Sequence, residues 1–300
     1  MKRIGRLAAV LAATAVVVSA CGGEPDDPLA NGGQAGEIVV GSANFPENVL
    51  LAEIYAQALE AEGATVRRQY NIGSREIYYG QIERGAISVL PEYNGALLAY
   101  LDDGSDARTT DAINEALAAA LPEGLTILDS APAENKDSLV VTQQTADEFD
   151  LQSIEDLAPV AGEMRVGAAP EFRDRQQGLL GLEEYYGVVF DEFVPTDNSG
   201  PLTISALERG DIDVANIYST DPSLTTRPFV ALDDPEAVFG SQNVTPLAGS
   251  GALDEQSIAV LNDVSARLTT EVLTELLSQV VTERRDVDDV AREWLETGSR

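Results

Sequence analysis

Apolar residues follow two spacings in alternation along this chain. Short continuous runs such as Glu37 to Gly41 (EIVVG) have the length and composition of buried strands. Between them apolar residues recur every three or four positions. Pro46 suits a first helical turn, and Val49, Leu50, Ile54, Ala58 and Leu59 then mark one helix face until Gly63. The same logic predicts strands at 65–70, 125–128 and 138–142, and helices at about 75–84, around Leu97, Leu98 and Leu101, and at 110–120. Near residue 142 the alternation restarts. Ser153 to Asp156 reads as a capped helix start, 164–167 and 188–194 as strands, and 170–178 as a lead into a helix near Leu182. A further helix is expected at 202–209. Strand–helix alternation implies α/β layers around mostly parallel sheets.

One unit occurs twice. Residues 81–93 read QIERGAISVLPEY and residues 206–218 read ALERGDIDVANIY. In each a helix is expected to close at a glycine able to adopt the left-handed conformation, Gly85 and Gly210. A buried strand follows, and a tyrosine, Tyr93 or Tyr218, stands at its carboxyl end. Ligands of open α/β sheets bind outside the carboxyl ends of strands. Two such units predict two similar lobes, each offering an aromatic face to a shared cleft. The segment 241–250 (SQNVTPLAGS) reads as a strand returning to the first lobe, ahead of a helical tail with Leu273, Leu276, Leu277 and Val280 on one stripe and Trp294 as packing. The expected organisation is lobe 1 at 37–141 and 246–300 and lobe 2 at 142–245. Two hinge-crossing strands would join them, the architecture of a clamshell that closes on a ligand.

The first residues set the address. Lys2, Arg3 and Arg6 precede an apolar run from Leu7 to Val18 that is too short to span a bilayer. Val18-Ser-Ala-Cys21 then has the form of a lipidation site, so residues 1–20 read as a signal peptide and Cys21, the sole cysteine, as the lipid-bearing residue. The alternative is a plain secretory signal with a chance cysteine. Residues 21–36 are rich in Gly, Pro and Asp and read as a flexible tether. The expected location is extracytoplasmic, on a membrane through the lipid.

Charge and composition exclude several functions. The chain has 19 Lys plus Arg against 51 Asp plus Glu. Three of the basic residues lie in the leader, so 16 face 51 acids in the remainder, a net −35. Such a surface repels nucleic acid. There is no histidine, which removes Ser-His-Asp chemistry and most zinc sites. No phosphate-binding glycine loop or Gly-x-Ser-x-Gly appears. No catalytic residue, metal or cofactor is expected, and an enzyme is disfavoured.

Several stretches together resemble the substrate-binding proteins of osmoprotectant ABC importers, which take up glycine betaine, choline and related quaternary ammonium compounds. They are GSANFPEN (41–48), GSREIYYGQIERG (73–85), LPEYNG (90–95), APAEN (131–135), PEFRDRQQG (170–178), DIDVANIYSTD (211–221) and VAREWL (290–295). The resemblance implies a two-lobed type II periplasmic-binding-protein fold, a monomer, and delivery of a zwitterionic or cationic solute to an ABC permease. It also implies a box of tyrosines around a cationic head group, held by attraction to the ring faces, with Tyr93 and Tyr218 matching two of them. Arg175 matches an arginine expected to fork onto a carboxylate. Asp137 and Gln242 stand where two further tyrosines would be, and Ala43 and Ala96 replace polar residues. Asp137 could instead pair with a protonated amine or guanidinium, a contact of about 1.5–3 kcal/mol, unless a one-residue shift puts Lys136 there.

Three ligand readings follow. A quaternary ammonium or related zwitterion (glycine betaine, choline, carnitine or a larger betaine) comes first. An amine-bearing amino acid or polyamine comes second, and a non-transport sensing or adhesion role third. Asn44 and Phe45 either line the cleft, or Asn44 caps the helix. Ser74 reads as a helix cap, and adjacent Tyr78 and Tyr79 point to different sides, so at most one faces the ligand. Tyr185 and Tyr186 read as packing beneath the second lobe.

Overall fold

The computed structural model describes residues 36–105 and 107–297; the signal peptide, Cys21 and the tether up to residue 35 lie outside the described residues. The elements in chain order begin with β1 (Glu37–Gly41), α1 (Pro46–Ala61), β2 (Thr65–Gln69), α2 (Arg75–Glu83), β3 (Val89–Tyr93), α3 (Asn94–Leu101), α4 (Thr110–Ala120) and β4 (Leu125–Ile127). After the first crossing come β5 (Asp137–Thr142), α5 (Gln143–Phe149), β6 (Arg165–Ala168), α6 (Leu179–Tyr186), β7 (Glu192–Pro195), α7 (Pro201–Arg209), β8 (Val214–Tyr218), α8 (Ser223–Thr226) and β9 (Phe229–Ala231). The chain then returns through β10 (Val244–Gly249) and ends in α9 (Glu255–Arg267), α10 (Thr270–Val281) and α11 (Val287–Thr297).

Two five-stranded sheets form, ordered β2-β1-β3-β10-β4 and β7-β6-β8-β5-β9. They share one plan. Three strands are parallel, the fourth is antiparallel and arrives from the other half of the chain, and the edge strand pairs antiparallel to it. The repeated units occupy the same place in each, β3 and β8 as the central strand. Both repeat glycines take positive φ, +75° at Gly85 and +70° at Gly210, which only glycine adopts without cost. The sheets are thus mixed rather than mostly parallel.

The crossing strands move the expected lobe boundary. Residues 137–142 pair with β8 and β9 in the second sheet, so 137–141 leave the first lobe. Residues 244 and 245 join it through β3. An apolar run does not declare which sheet it enters, hence the displacement. At the crossings the two segments meet each other: Glu134 bridges Asn243, and Asn135 N donates to Gln242 O at 3.0 Å.

Other local readings shift for visible reasons. The 188–194 run is a strand only from Glu192. Gly187 ends α6 at φ +67°, and the Val188 N–H donates back to Leu182 O at 3.1 Å, so Val188 closes a helix instead of opening a strand. The 153–156 signal makes a short 3₁₀ turn, with Asp156 accepting from the Ser153 N–H at 2.8 Å. Tyr186 donates to Asp234, but Tyr185 is 52 % exposed.

Each lobe has its own core on both sheet faces. In the first, α1 is buried along most of its length against α9, α10 and α11 through Leu50, Ile54, Leu59, Leu261 and Leu276. The second packs Leu139, Val166, Leu182 and Phe239 on one face and Ile204, Leu207 and Ile217 on the other. Trp294 packs beneath Arg267, whose guanidinium lies 4.6 Å from the ring centroid. No described helix is long and apolar enough to cross a membrane.

Candidate functional site

The matching sheets bring the ends of β3 and β8 to one cavity. Tyr93 and Tyr218 both line it, and Phe45 sits against both. The Phe45 ring is 6.1 Å from Tyr93, nearly stacked, and 5.2 Å from Tyr218, tilted. Phe45 reaches this place because Asn48 fixes the β1–α1 loop: its Oδ1 accepts from Ala43 N at 2.7 Å, and its Nδ2 donates to Pro91 O at 3.0 Å. Asn44 is exposed, is not among the lining residues, and does not cap α1, whose N-cap position is Phe45. Both readings of Asn44 therefore fail, because the Asn48 anchor turns its side chain outward.

Asp137 is in register with Tyr218 across the antiparallel β5–β8 pair. Alternation along a strand sends neighbours to opposite faces, so Asn135 and Asp137 face the cavity while Lys136 turns away to pair with Glu134 at 3.1 Å. Asp137 accepts from Asn216 Nδ2 at 3.0 Å and Gln242 Nε2 at 3.4 Å. Burial pushes its carboxyl above the ordinary range, with the Asn216 bond and the positive charge of Arg175 opposing that shift. Gln242 also lines the cavity and is anchored to Phe239 O at 2.9 Å.

Arg175 reaches the cavity from the second lobe but already forks onto a carboxylate of the protein. Its Nε and Nη2 donate to Glu76 of α2 at 2.9–3.1 Å. Burial raises the Glu76 pKa, but the Arg175 charge together with hydrogen bonds from Ser74, the Glu76 backbone and Arg175 holds the group below its usual value. Arg75, in the cavity wall, donates two bonds of 2.8 Å to buried Glu92, which also accepts from Tyr78. Burial opposes the charge on Arg75, and Glu92 overcomes it. Of the adjacent tyrosines, Tyr78 lines the cavity, whereas Tyr79 packs on Tyr100 at 5.2 Å. Ser74 holds the N-cap position of α2 without a side-chain cap bond and lines the cavity.

Glu47 lies beneath the rings, 2 % exposed. It accepts from Tyr93 Oη at 2.6 Å, from Asn135 Nδ2 at 2.7 Å and from Thr220 Oγ1. These donors belong to the first lobe, a crossing segment and the second lobe. Burial drives its pKa up, and the three hydrogen bonds counter this in part. Burial also raises the Tyr93 hydroxyl, reinforced by the neighbouring Glu47 charge.

The sequence reading missed Glu47, Thr220 and Asn198. Asn198 accepts from Tyr218 Oη at 2.7 Å and lines the cavity. The next residue, Ser199, has φ +53°, unusual outside glycine, and takes the Tyr218 N–H on its Oγ at 2.9 Å. Acidic Glu47 in the first turn after Pro46 was a visible helix-start signal, but its partners lie 46, 88 and 173 positions away.

The enclosed part of the cavity is small, about 50 Å³. A wider outer space shares Arg75, Ala96, Asp137, Glu171 and Arg175 with it. Aromatic faces, one carboxylate held by amides and two internally paired guanidiniums can hold a small organic cation or zwitterion.

Residues 36–297 match the family described as the substrate binding domain of ABC-type glycine betaine transport systems. The chain is 26 % identical over 275 residues to the glycine betaine-binding protein YehZ of Escherichia coli K12, covering 87 % of this chain and 90 % of that one. It is 22 % identical over 307 residues to the carnitine transport binding protein OpuCC of Listeria monocytogenes, covering 98 % and 96 %. Among solved structures, a glycine betaine/carnitine/choline ABC transporter protein superposes with TM-score 0.68 at 21 % identity, covering 87 % of this chain and 98 % of that one. A choline-binding protein in complex with choline gives 0.67 at 17 % identity, covering 88 % and 89 %. The two-lobed periplasmic-binding-protein fold is common to them.

Proposed function

The chain belongs to the family of substrate-binding domains of ABC-type glycine betaine transport systems, and from that premise we propose that it captures a small solute with a cationic nitrogen for an ABC importer permease. The solute is of the quaternary ammonium or related zwitterionic class: glycine betaine, choline, carnitine or a larger betaine. Members of this family bind and deliver; they are not enzymes. The observation that carries the reading is the Phe45 ring packed between Tyr93 and Tyr218 in a cavity walled by both lobes. Ring faces attract a cation by about 0.5–2 kcal/mol each, more when water is excluded, and closing two lobes around the solute excludes it.

In this proposal the lobes divide between residues 135 and 137 and again near 243, and Cys21 carries a lipid that holds a monomer at the outer face of the membrane. The binding residues are Tyr93, Tyr218 and Phe45 for the cation, with Asp137, Gln242 and Arg175 around them. A second reading, a receptor for an amine-bearing amino acid or polyamine, is favoured by Asp137, whose oxygens accept hydrogen bonds from neutral amides alone.

Isothermal titration of the purified protein against glycine betaine, choline, carnitine, arginine and putrescine tests the reading. At least one binds, and Tyr93→Ala weakens it tenfold or more. Binding unaffected by that substitution would remove the cavity from the account.

A further inference from the structure

The charges facing the cavity do not cancel. Arg75 is answered by Glu92 through two bonds of 2.8 Å, and Arg175 by Glu76 through three bonds of 2.9–3.1 Å. Asp137 has no such counterpart: both of its oxygens accept from neutral amides, Asn216 and Gln242. Glu171, which also lines the cavity, has no ion-pair partner among the described residues. Two opposite pairs neutralise each other and two carboxylates are left over.

A second observation points the same way. Asn135 is 3 % exposed and lines the cavity two positions before Asp137. Its Nδ2 is used on Glu47, but its Oδ1 has no hydrogen-bond partner. A buried acceptor left alone is unfavourable, and a donor from a ligand relieves it. The cavity therefore offers excess negative charge and one buried acceptor without a partner, Asn135 Oδ1.

We propose that the site selects a net-cationic solute bearing a hydrogen-bond donor, a hydroxyl or an N–H, with Asp137 and Asn135 as the specificity-determining residues. This rests on the solute-binding reading and narrows it. A zwitterion brings a carboxylate to a wall that is already net negative. Glu76 already takes the Nε and Nη2 edge of Arg175, which leaves such a carboxylate only Nη1 and no fork. A trimethylammonium group with no donor beside it gives neither Asp137 nor Asn135 Oδ1 a hydrogen bond, because it has no N–H to give.

Titration calorimetry with choline, agmatine and glycine betaine tests this. Choline is a cation with a hydroxyl, agmatine a cation with N–H groups, and glycine betaine a zwitterion with neither. Choline or agmatine, or both, should bind at least tenfold more tightly than glycine betaine, and whichever does identifies the donor. Asp137→Asn should bring that ratio close to one, with melting curves showing that the variant folds. Glu76→Gln, at a part-exposed position, should free Arg175 and improve glycine betaine several-fold without improving the cations. If glycine betaine is the tightest of the three, solute binding stands and the charge selection falls. A folded Asp137→Asn with an unchanged ratio also overturns it. If none of the three binds, the inference fails together with the reading beneath it.

Discussion

Thr220, just past β8 in the second lobe, donates its hydroxyl to Glu47, in the first turn of α1 in the first. The same carboxylate holds Tyr93 and Asn135, so one buried side chain ties a cavity ring, a crossing segment and both lobes together. A hydrogen bond to a charged group contributes about 1.5–3 kcal/mol. If the Thr220 bond forms on closure, Thr220→Val, nearly the same shape, weakens solute binding roughly tenfold, since 1.4 kcal/mol is one decade. Calorimetry checks this; a lower melting temperature with unchanged affinity would mean that the bond survives in the open form.

Glu47 also predicts a pH signature. Its folded pKa is raised, first by burial, above the ordinary 4.5, so the folded state holds the proton more tightly than the unfolded chain. The associated stability is complete below pH 4.5 and is lost as pH rises through the folded value. Glu47→Gln cannot titrate. Relative to this variant, the wild type should lose stability from pH 4.5 upward, as scanning calorimetry at several pH values would reveal. Parallel curves would refute the raised value.

Tyr93 contributes a ring to the cavity and a hydroxyl to Glu47. Tyr93→Phe keeps the stacking on Phe45 but removes the 2.6 Å bond. Affinity should fall about threefold to tenfold, by the net contribution of one hydrogen bond, and by clearly more in Tyr93→Ala, which loses the ring face as well. Equal losses in the two variants would show that the hydroxyl, not the ring, matters.

Gly95 opens α3 against the returning chain. A Cβ there would lie 2.1 Å from the Ser241 carbonyl oxygen, a backbone atom with no rotamer to adopt. Ser241 is hemmed in, because Asn94 Oδ1 accepts from Asn243 N at 2.8 Å and Asn94 N donates to Asn243 O at 3.1 Å. Gly95→Ala should destabilise the protein by about 1–3 kcal/mol, the usual range for forced overpacking. Denaturant unfolding measures it, and a variant as stable as wild type would show that this crossing yields.

Much of this architecture was legible beforehand. Periodicity located β1, α1, α2 and α7 to within a residue or two, and the duplicated unit located β3 and β8 with their tyrosines. Sheet membership was not legible. The apolar strand 137–142 looks the same whichever sheet it joins, and its choice depends on pairing with β8, 79 positions away at Asn216 to Asp137. Within the site, aromatic and charged types could be picked out, whereas their partners could not. Arg175 read as a carboxylate binder and does bind one, but Glu76 supplies it from another part of the chain. Asn44 and Phe45 were indistinguishable in sequence; Asn48, four positions after Asn44, decides which turns inward.

The interleaving of β10 between β3 and β4 bears on how the molecule is made. Every strand of the second sheet lies between residues 137 and 231, whereas the first lacks an interior strand until residue 249 has left the ribosome. An exported precursor whose amino-terminal half stays incomplete that long presents translocation machinery with an open chain. Chains truncated at residue 240 and released should accordingly be cut by protease within 37–127 and protected within 137–231.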